Sequence, residues 1–191
     1  TVAVMDWDTN RDLEAFSAIP MMGAVLHTVN VRLSPEQILY TINHAEDDAI
    51  LVNSEFLPIL EELQDRIETV KTYILLDDTS SQEEGVKSSD SLPLAGEYEA
   101  LLAKAPAQYD FPELDEYTRA TTFYTTGTTG LPKGVYFSHR QLVLHTFAGR
   151  NTMAGVGQGR FNEDDVYMPI TPMFHVHAWG IPFMATMMGV K

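Results

Sequence analysis

Apolar and polar positions along the chain change period in blocks, and each block predicts an element. Val2-Ala3-Val4-Met5 is a short apolar run that predicts a strand over 2–5. Asn10 is a candidate cap for a helix over 10–22, and a β-like run over 24–29 follows Gly23. Ser34-Pro35-Glu36-Gln37 is a helix start with a mechanism. The Ser34 hydroxyl can accept from a free N–H, Pro35 fits the first turn, and Gln37 can reach back to complete a capping box. That helix runs to about His44. A strand over 49–52, a helix over 55–66 with Leu57, Leu60 and Leu63 on one face, and a strand over 70–76 complete the series. Strands alternating with helices of this length predict βαβ units, hence an α/β fold: a layered, mainly parallel sheet with flanking helices.

The pattern then breaks. Residues 77–116 contain eleven Asp or Glu against two lysines, Lys87 and Lys104, together with frequent Ser, Gly and Pro. A solvated surface excursion is the expectation, with one short helix over 98–104, because long polar connections run over protein surfaces. An acidic partner-binding segment is the other reading of it. Beyond it a strand over 121–124 and a strand-like 135–137 are predicted, and Ser138 is placed to cap a helix to about Gly149.

Composition narrows the function classes. The net charge of −15 over 191 residues leaves no basic stripe to neutralise phosphates, which argues against a nucleic-acid partner. With no cysteine there is neither a disulfide framework nor a thiolate metal site, and a cytoplasmic setting suits that. No apolar run reaches the roughly 18 residues that a membrane helix needs. The chain begins at Thr1, and its last residues, 183–191, lie within an apolar helix-like run, so a piece of a longer protein is expected, with apolar surface exposed around 181–190.

The densest chemistry lies in Tyr124-Thr125-Thr126-Gly127-Thr128-Thr129-Gly130-Leu131-Pro132-Lys133-Gly134. Glycines allow sharp turns and close approach to a ligand. Exposed N–H groups and Thr hydroxyls suit phosphate oxygens, and Lys133 adds compensating charge. Two familiar phosphate loops fail here. The P-loop pattern needs Gly where Pro132 stands and Ser or Thr where Gly134 stands; the dinucleotide pattern needs Gly at Thr129. The loop is therefore of a third kind.

That run resembles the signature phosphate loop of the adenylate-forming enzymes: acyl-CoA synthetases, firefly-luciferase-like proteins and peptide-synthetase adenylation domains. Their pattern is two hydroxyl residues, Gly, a hydroxyl residue, Thr, Gly, any residue, Pro, Lys and Gly, and residues 125–134 match each position. The continuation Val135-Tyr136-Phe137-Ser138-His139-Arg140-Gln141-Leu142 also resembles the family, with Gln141 where Asn is common. So do the blocks 165–180, containing Pro172-Met173-Phe174-His175, and 23–34, where Val31 replaces the usual Pro. Together they look more like fatty acyl-CoA synthetases than amino-acid activators, over nearly the whole chain.

The resemblance implies a fragment, 1–191, of the large N-terminal AMP-binding domain of a fatty acid–CoA ligase, using ATP, Mg²⁺ and coenzyme A, often as a homodimer. An amino-acid or aryl-acid adenylating domain, or a noncatalytic nucleotide-phosphate-binding module, are the alternatives. It places Thr125, Thr126, Gly127, Thr128, Thr129, Gly130 and Lys133 on the ATP phosphates, with Thr125 also at the metal and Lys133 as a mobile clamp. His175 falls beside the phosphates and the substrate carboxylate, with Lys133 and His175 the catalytic pair. Trp179 matches an aromatic gate to the acyl tunnel, a buried core tryptophan being the alternative, and His177 lines that pocket or simply packs. His175 and His177 could open a zinc site, but no third ligand stands at usable spacing, and strand or turn alternation would send the rings to opposite sides. His27, His44 and His145 have no partner legible in the sequence. The family's adenine, ribose and coenzyme A motifs are not found in 1–191, so the segment alone is expected to be inactive. The parent is expected to be cytoplasmic, with membrane association as a second placement.

Overall fold

The computed structural model describes residues 1–77, 89, 91–126, 130–154 and 161–191. Seven strands form one sheet: β1 (Val2–Met5), β2 (Leu26–Thr28), β3 (Ala49–Asn53), β4 (Thr72–Leu76), β5 (Leu94–Glu97), β6 (Arg119–Thr125) and β7 (Lys133–Ser138). Their order is β5-β4-β3-β1-β2-β6-β7. Neighbours pair in parallel except β6 and β7, which form an antiparallel hairpin. The helices are α1 (Asn10–Met21), α2 (Pro35–Ala45), α3 (Leu57–Leu63), α4 (Tyr98–Leu102), α5 (His139–Met153) and α6 (Ile181–Met188). The α/β class and mainly parallel sheet expected from the sequence are present.

Alternating side chains bury both faces of the central strands, as a parallel sheet requires. Ala3, Met5, Ile50 and Val52 pack with Ile38 and Ile42 of α2 and with Leu57, Leu60 and Leu63 of α3. Val4, Leu26 and Leu51 turn the other way, onto Ala15, Phe16 and Ile19 of α1 and onto Met173 and Ala178. Leu60 and Ile42 are fully buried, so truncating either would cost about 2–5 kcal/mol.

Helix ends follow local chemistry. Ser34 and Gln37 form the expected capping box at α2. A second box starts α5: Gln141 N–H donates to Ser138 Oγ, and Ser138 N–H donates to Gln141 Oε1 at 2.9 Å. Asn10 does not cap α1. Thr9 is its cap residue, and the Thr9 hydroxyl donates to the Asp6 carboxylate instead.

Three further expectations give way. The helix over 55–66 is interrupted: α3 is only Leu57–Leu63, flanked by 3₁₀ turns at Ser54–Phe56 and Gln64–Arg66. Pro58 has no N–H for the carbonyl four residues back, so regular α-helix cannot extend earlier. The acidic stretch is not all surface excursion. Leu92 joins the core, β5 pairs with β4, and α4 is capped by the Glu97 carboxylate, which accepts from the Glu99 and Ala100 N–H groups. Two leucines around a single proline are too short a pattern to signal an edge strand. Nor is 181–190 the exposed apolar patch. Pro182, Met184 and Ala185 are buried, because α6 packs on α5 where Gly149 offers bare backbone to Met184. Met187 is the exposed large apolar side chain of that segment; other exposed apolar side chains include Val166, Met168 and Ile170, and Val143, Leu144 and Phe147 of α5.

The second capping box generates a stability prediction. Ser138→Ala should lower unfolding free energy by about 1 kcal/mol, read as a lower urea midpoint with unchanged slope. An unchanged midpoint would show that the box contributes nothing.

Candidate functional site

The glycine- and threonine-rich run is the tip of the β6–β7 hairpin. Tyr124 pairs with Gly134 and Thr125 with Lys133, so both arms of the loop are held by the ladder. Thr125 Oγ1 donates to the Lys133 carbonyl at 3.4 Å. Thr125, Thr126, Gly130 and Lys133 are exposed. Among the described residues no carboxylate holds the Lys133 ammonium. Gly130 has φ +95°, where a side chain is strained, although no atom lies within 4 Å of a Cβ there. Gly127, Thr128 and Thr129 lie outside the described residues. The hairpin extends beyond the carboxyl end of β6, which pairs in parallel with β2, and carboxyl edges are where open α/β sheets place ligands.

Tyr124, at the root of the hairpin, is anchored on the α2 side. Its hydroxyl shares a 2.8 Å hydrogen bond with His44 Nδ1, and its ring lies 5.2 Å from that of His27. Burial is the main reason its phenol is raised above the usual tyrosine range, with the Asp47 charge adding to it. His27 Nδ1–H donates to Asp47 Oδ2 at 2.7 Å, both residues being fully buried. A Cβ on Gly134 would stand 3.3 Å from the Tyr124 ring, so the returning arm of the hairpin rests on the same ring.

A second segment reaches β6 from the α1 side. Met173 N–H donates to Asp8 Oδ1 at 2.5 Å, just after β1, and Thr28 at the end of β2 donates to the Phe174 carbonyl at 3.5 Å. His175 follows and is exposed. Val176, His177, Ala178 and Trp179 then have φ of +50°, +53°, +47° and +60°, and Gly180 has +72°. Left-handed backbone costs about 1–2 kcal/mol for each non-glycine residue, so the turn needs anchors. His177 is one: it is buried among Phe16, Phe123 and Phe137, with Nε2 at 2.9 Å from Thr121 Oγ1. His145 of α5 is another, donating from Nε2 to the Trp179 carbonyl at 3.0 Å. Trp179 itself is 60% exposed and lies outside the core of residues 1–191. His177, Trp179, His145, Phe137, Leu142 and Phe183 line a mainly apolar cavity of about 110 Å³.

Thus β6 carries both groups: the exposed hydroxyls and Lys133 at its end, and the His177–Trp179 turn against its flank. His175 and His177 part company, one exposed and one in the core, and His177 Nε2 is engaged by Thr121. Among the described residues no group of three His, Asp or Glu side chains is arranged to hold a metal. His27, His44 and His145 were not legible in the sequence, because each has its partner 20 or more residues away. His44, in the last turn of α2, carries no spacing signal for a tyrosine 80 residues on.

The chain belongs to the AMP-binding enzyme family, whose profile matches residues 1–191. It is 42% identical over 188 residues to 3-methylmercaptopropionyl-CoA ligase of Ruegeria pomeroyi, covering 98% of this chain and 33% of that protein. It is 42% identical over 190 residues to a long-chain-fatty-acid–CoA ligase of Thermus thermophilus, covering 100% of this chain and 32% of the relative. A medium-chain-fatty-acid–CoA ligase of Ectopseudomonas oleovorans is 40% identical over 99% of this chain and 33% of its own length. The chain therefore spans about a third of the length of these relatives. The fold is similar to that of a putative long-chain-fatty-acid CoA ligase from Rhodopseudomonas palustris, with TM-score 0.77 and 19% identity, over 99% of this chain and 42% of that one. It also resembles a Mycobacterium tuberculosis fatty acyl CoA synthetase, with TM-score 0.74 and 22% identity, over 100% of this chain and 34% of that one.

Burial, with a smaller contribution from His27, pushes the His177 imidazole down to about 3. Below the unfolded value near 6.5 the unfolded chain binds a proton that the folded one refuses, so stability falls as pH drops from about 6.5 towards 3. His177→Gln should flatten that acid limb in urea titrations at several pH values; an unaltered limb would assign it elsewhere.

Proposed function

We propose that the protein to which this chain belongs is an ATP-dependent, AMP-forming acid–CoA ligase acting on fatty acids. The observation that carries the reading is the convergence on β6 of an exposed hydroxyl- and lysine-bearing hairpin and an apolar cavity lined by Trp179. Identity of 40–42% to fatty-acid and other acid CoA ligases supports it.

In the proposed reaction the substrate carboxylate attacks the α-phosphorus of ATP, and pyrophosphate leaves with the electrons of the broken P–O bond. The thiol of coenzyme A then attacks the acyl carbon and AMP departs. Such displacement needs phosphate charge neutralised and the reactants held in line more than it needs a protein nucleophile. The hairpin is read as the holder of the β- and γ-phosphates, through Thr125, Thr126, Gly130 and Lys133, with Gly127, Thr128 and Thr129 as the remaining loop members. Lys133 is a phosphate clamp free to move with its ligand. His175, exposed on the segment that crosses the ends of β1 and β2, is read as the residue that meets the ATP phosphates and the substrate carboxylate. His177 and Trp179 serve the acyl pocket, His177 as a wall and Trp179 at its mouth.

A donor set of hydroxyls without grouped carboxylates fits Mg²⁺ that arrives on ATP, with Thr125 as the protein oxygen offered to it. Bound there, Mg²⁺ would offset charge on the phosphates. No helix among the described residues is long and apolar enough to cross a membrane, and a cytoplasmic enzyme of lipid metabolism, acting as a homodimer, fits the composition and the family.

The complete protein should catalyse fatty-acid-dependent exchange of pyrophosphate into ATP. No exchange with any carboxylic acid would make it a nucleotide-binding module, and exchange confined to amino or aryl acids would move it to another branch. Lys133→Ala should lower kcat/KM for ATP at least about tenfold, with the melting temperature unchanged. Unaltered ATP kinetics would remove the clamp from Lys133.

A further inference from the structure

We propose that His145 is a positioning residue for Trp179, and that through it the enzyme sets which acyl chains it accepts. The inference rests on the reading of the Trp179 cavity as the acyl site.

The turn 176–180 is held at two points of different kind. His177 pins its middle to the sheet: the ring is buried among three phenylalanines and bonded to Thr121. Ala178 beside it is 1% exposed. The end of the turn has no such enclosure, since Trp179 is 60% exposed. The side-chain anchor of that end is the His145 Nε2–H on the Trp179 carbonyl, at 3.0 Å, with the His145 ring against Gly180; the Ile181 N–H on the Ala178 carbonyl is its backbone tie. A Cβ on Gly180 would approach Cδ2 of that ring to 2.7 Å, so the ring lies directly on glycine backbone. A run of left-handed residues relaxes where it is least enclosed. Losing the His145 donor therefore releases Trp179 and leaves His177 and Ala178 in the core.

His145 and Trp179 both line the cavity, so freeing the indole changes its mouth. His145 stands on α5, the helix that directly follows β7, so the chain leaving the returning arm of the phosphate hairpin goes on to line this mouth. The imidazole need not touch the acyl chain. It acts through the backbone carbonyl, which needs a hydrogen-bond donor, so an apolar residue of similar size cannot replace it.

The test uses the complete enzyme with a series of straight-chain acids. His145→Leu should change the ratio of kcat/KM between long and short acids about tenfold, with KM for ATP held within about twofold. His145→Gln, which keeps an N–H donor, should restore most of the wild-type profile. With Trp7 and every tryptophan outside residues 1–191 replaced by Phe, Trp179 emission and quencher accessibility should shift in His145→Leu and return in His145→Gln. Equal loss for all chain lengths, or the same shift in both variants, would reduce His145 to packing and overturn the inference. Trp179→Ala is the control. If it alters the chain-length profile and His145→Leu does not, only the role of His145 fails; if neither alters it, the acyl-site reading fails and the inference with it.

Discussion

Strand β6 is the constraint on which the site depends. Successive residues of a strand face opposite sides, and β6 uses both to tie the hairpin into the molecule. Thr121 and Phe123 meet His177 on the α1 side; Tyr124 meets His44 and His27 on the α2 side. A loop of glycines and threonines has little packing of its own. Its position is inherited from a strand clamped on both faces, and this is how a conformationally permissive segment can be presented at a defined place.

The buried polar groups follow the same logic. His27 and Asp47 are enclosed completely, and removing either partner would leave the other without its counterpart in a dry environment, a loss of about 3–5 kcal/mol in comparable pairs. His177 has a hydrogen bond at Nε2 and an unpartnered Nδ1, and its enclosure favours the neutral ring. Asp12 is buried near Asp6 and Asp8, and burial first, then their charges, raises its carboxyl well above the usual range. Asp12 and His177 lie on the α1 side of the sheet, where the left-handed turn also packs, whereas the His27–Asp47 pair lies on the α2 side.

Residues that touch the proposed ligands and residues that place them differ in how visible they are. Thr125, Lys133 and Trp179 stand in contiguous motifs, because a loop that wraps a phosphate is built from neighbours in the chain. Their supports do not. Tyr124 needs His44, and Trp179 needs His145, across 80 and 34 residues. Nothing periodic links such pairs, and they meet only because α2 lies over β6 and α5 folds back on the turn.

By itself the sequence determined the α/β class, the order of most elements, the α2 capping box, the Ser138 cap and the hairpin motif that relates the chain to the AMP-binding enzymes. Each is encoded locally, by hydrophobic period, by a hydroxyl three residues before its amide partner, or by adjacent loop residues. Tertiary structure alone decided that Leu94–Glu97 of the acidic stretch becomes an edge strand and that one face of α6 is buried against α5. It also decided the left-handed turn and the roles of His27, His44 and His145. Those outcomes depend on what lies opposite a residue once the sheet closes, and a one-dimensional pattern carries no information about what lies opposite.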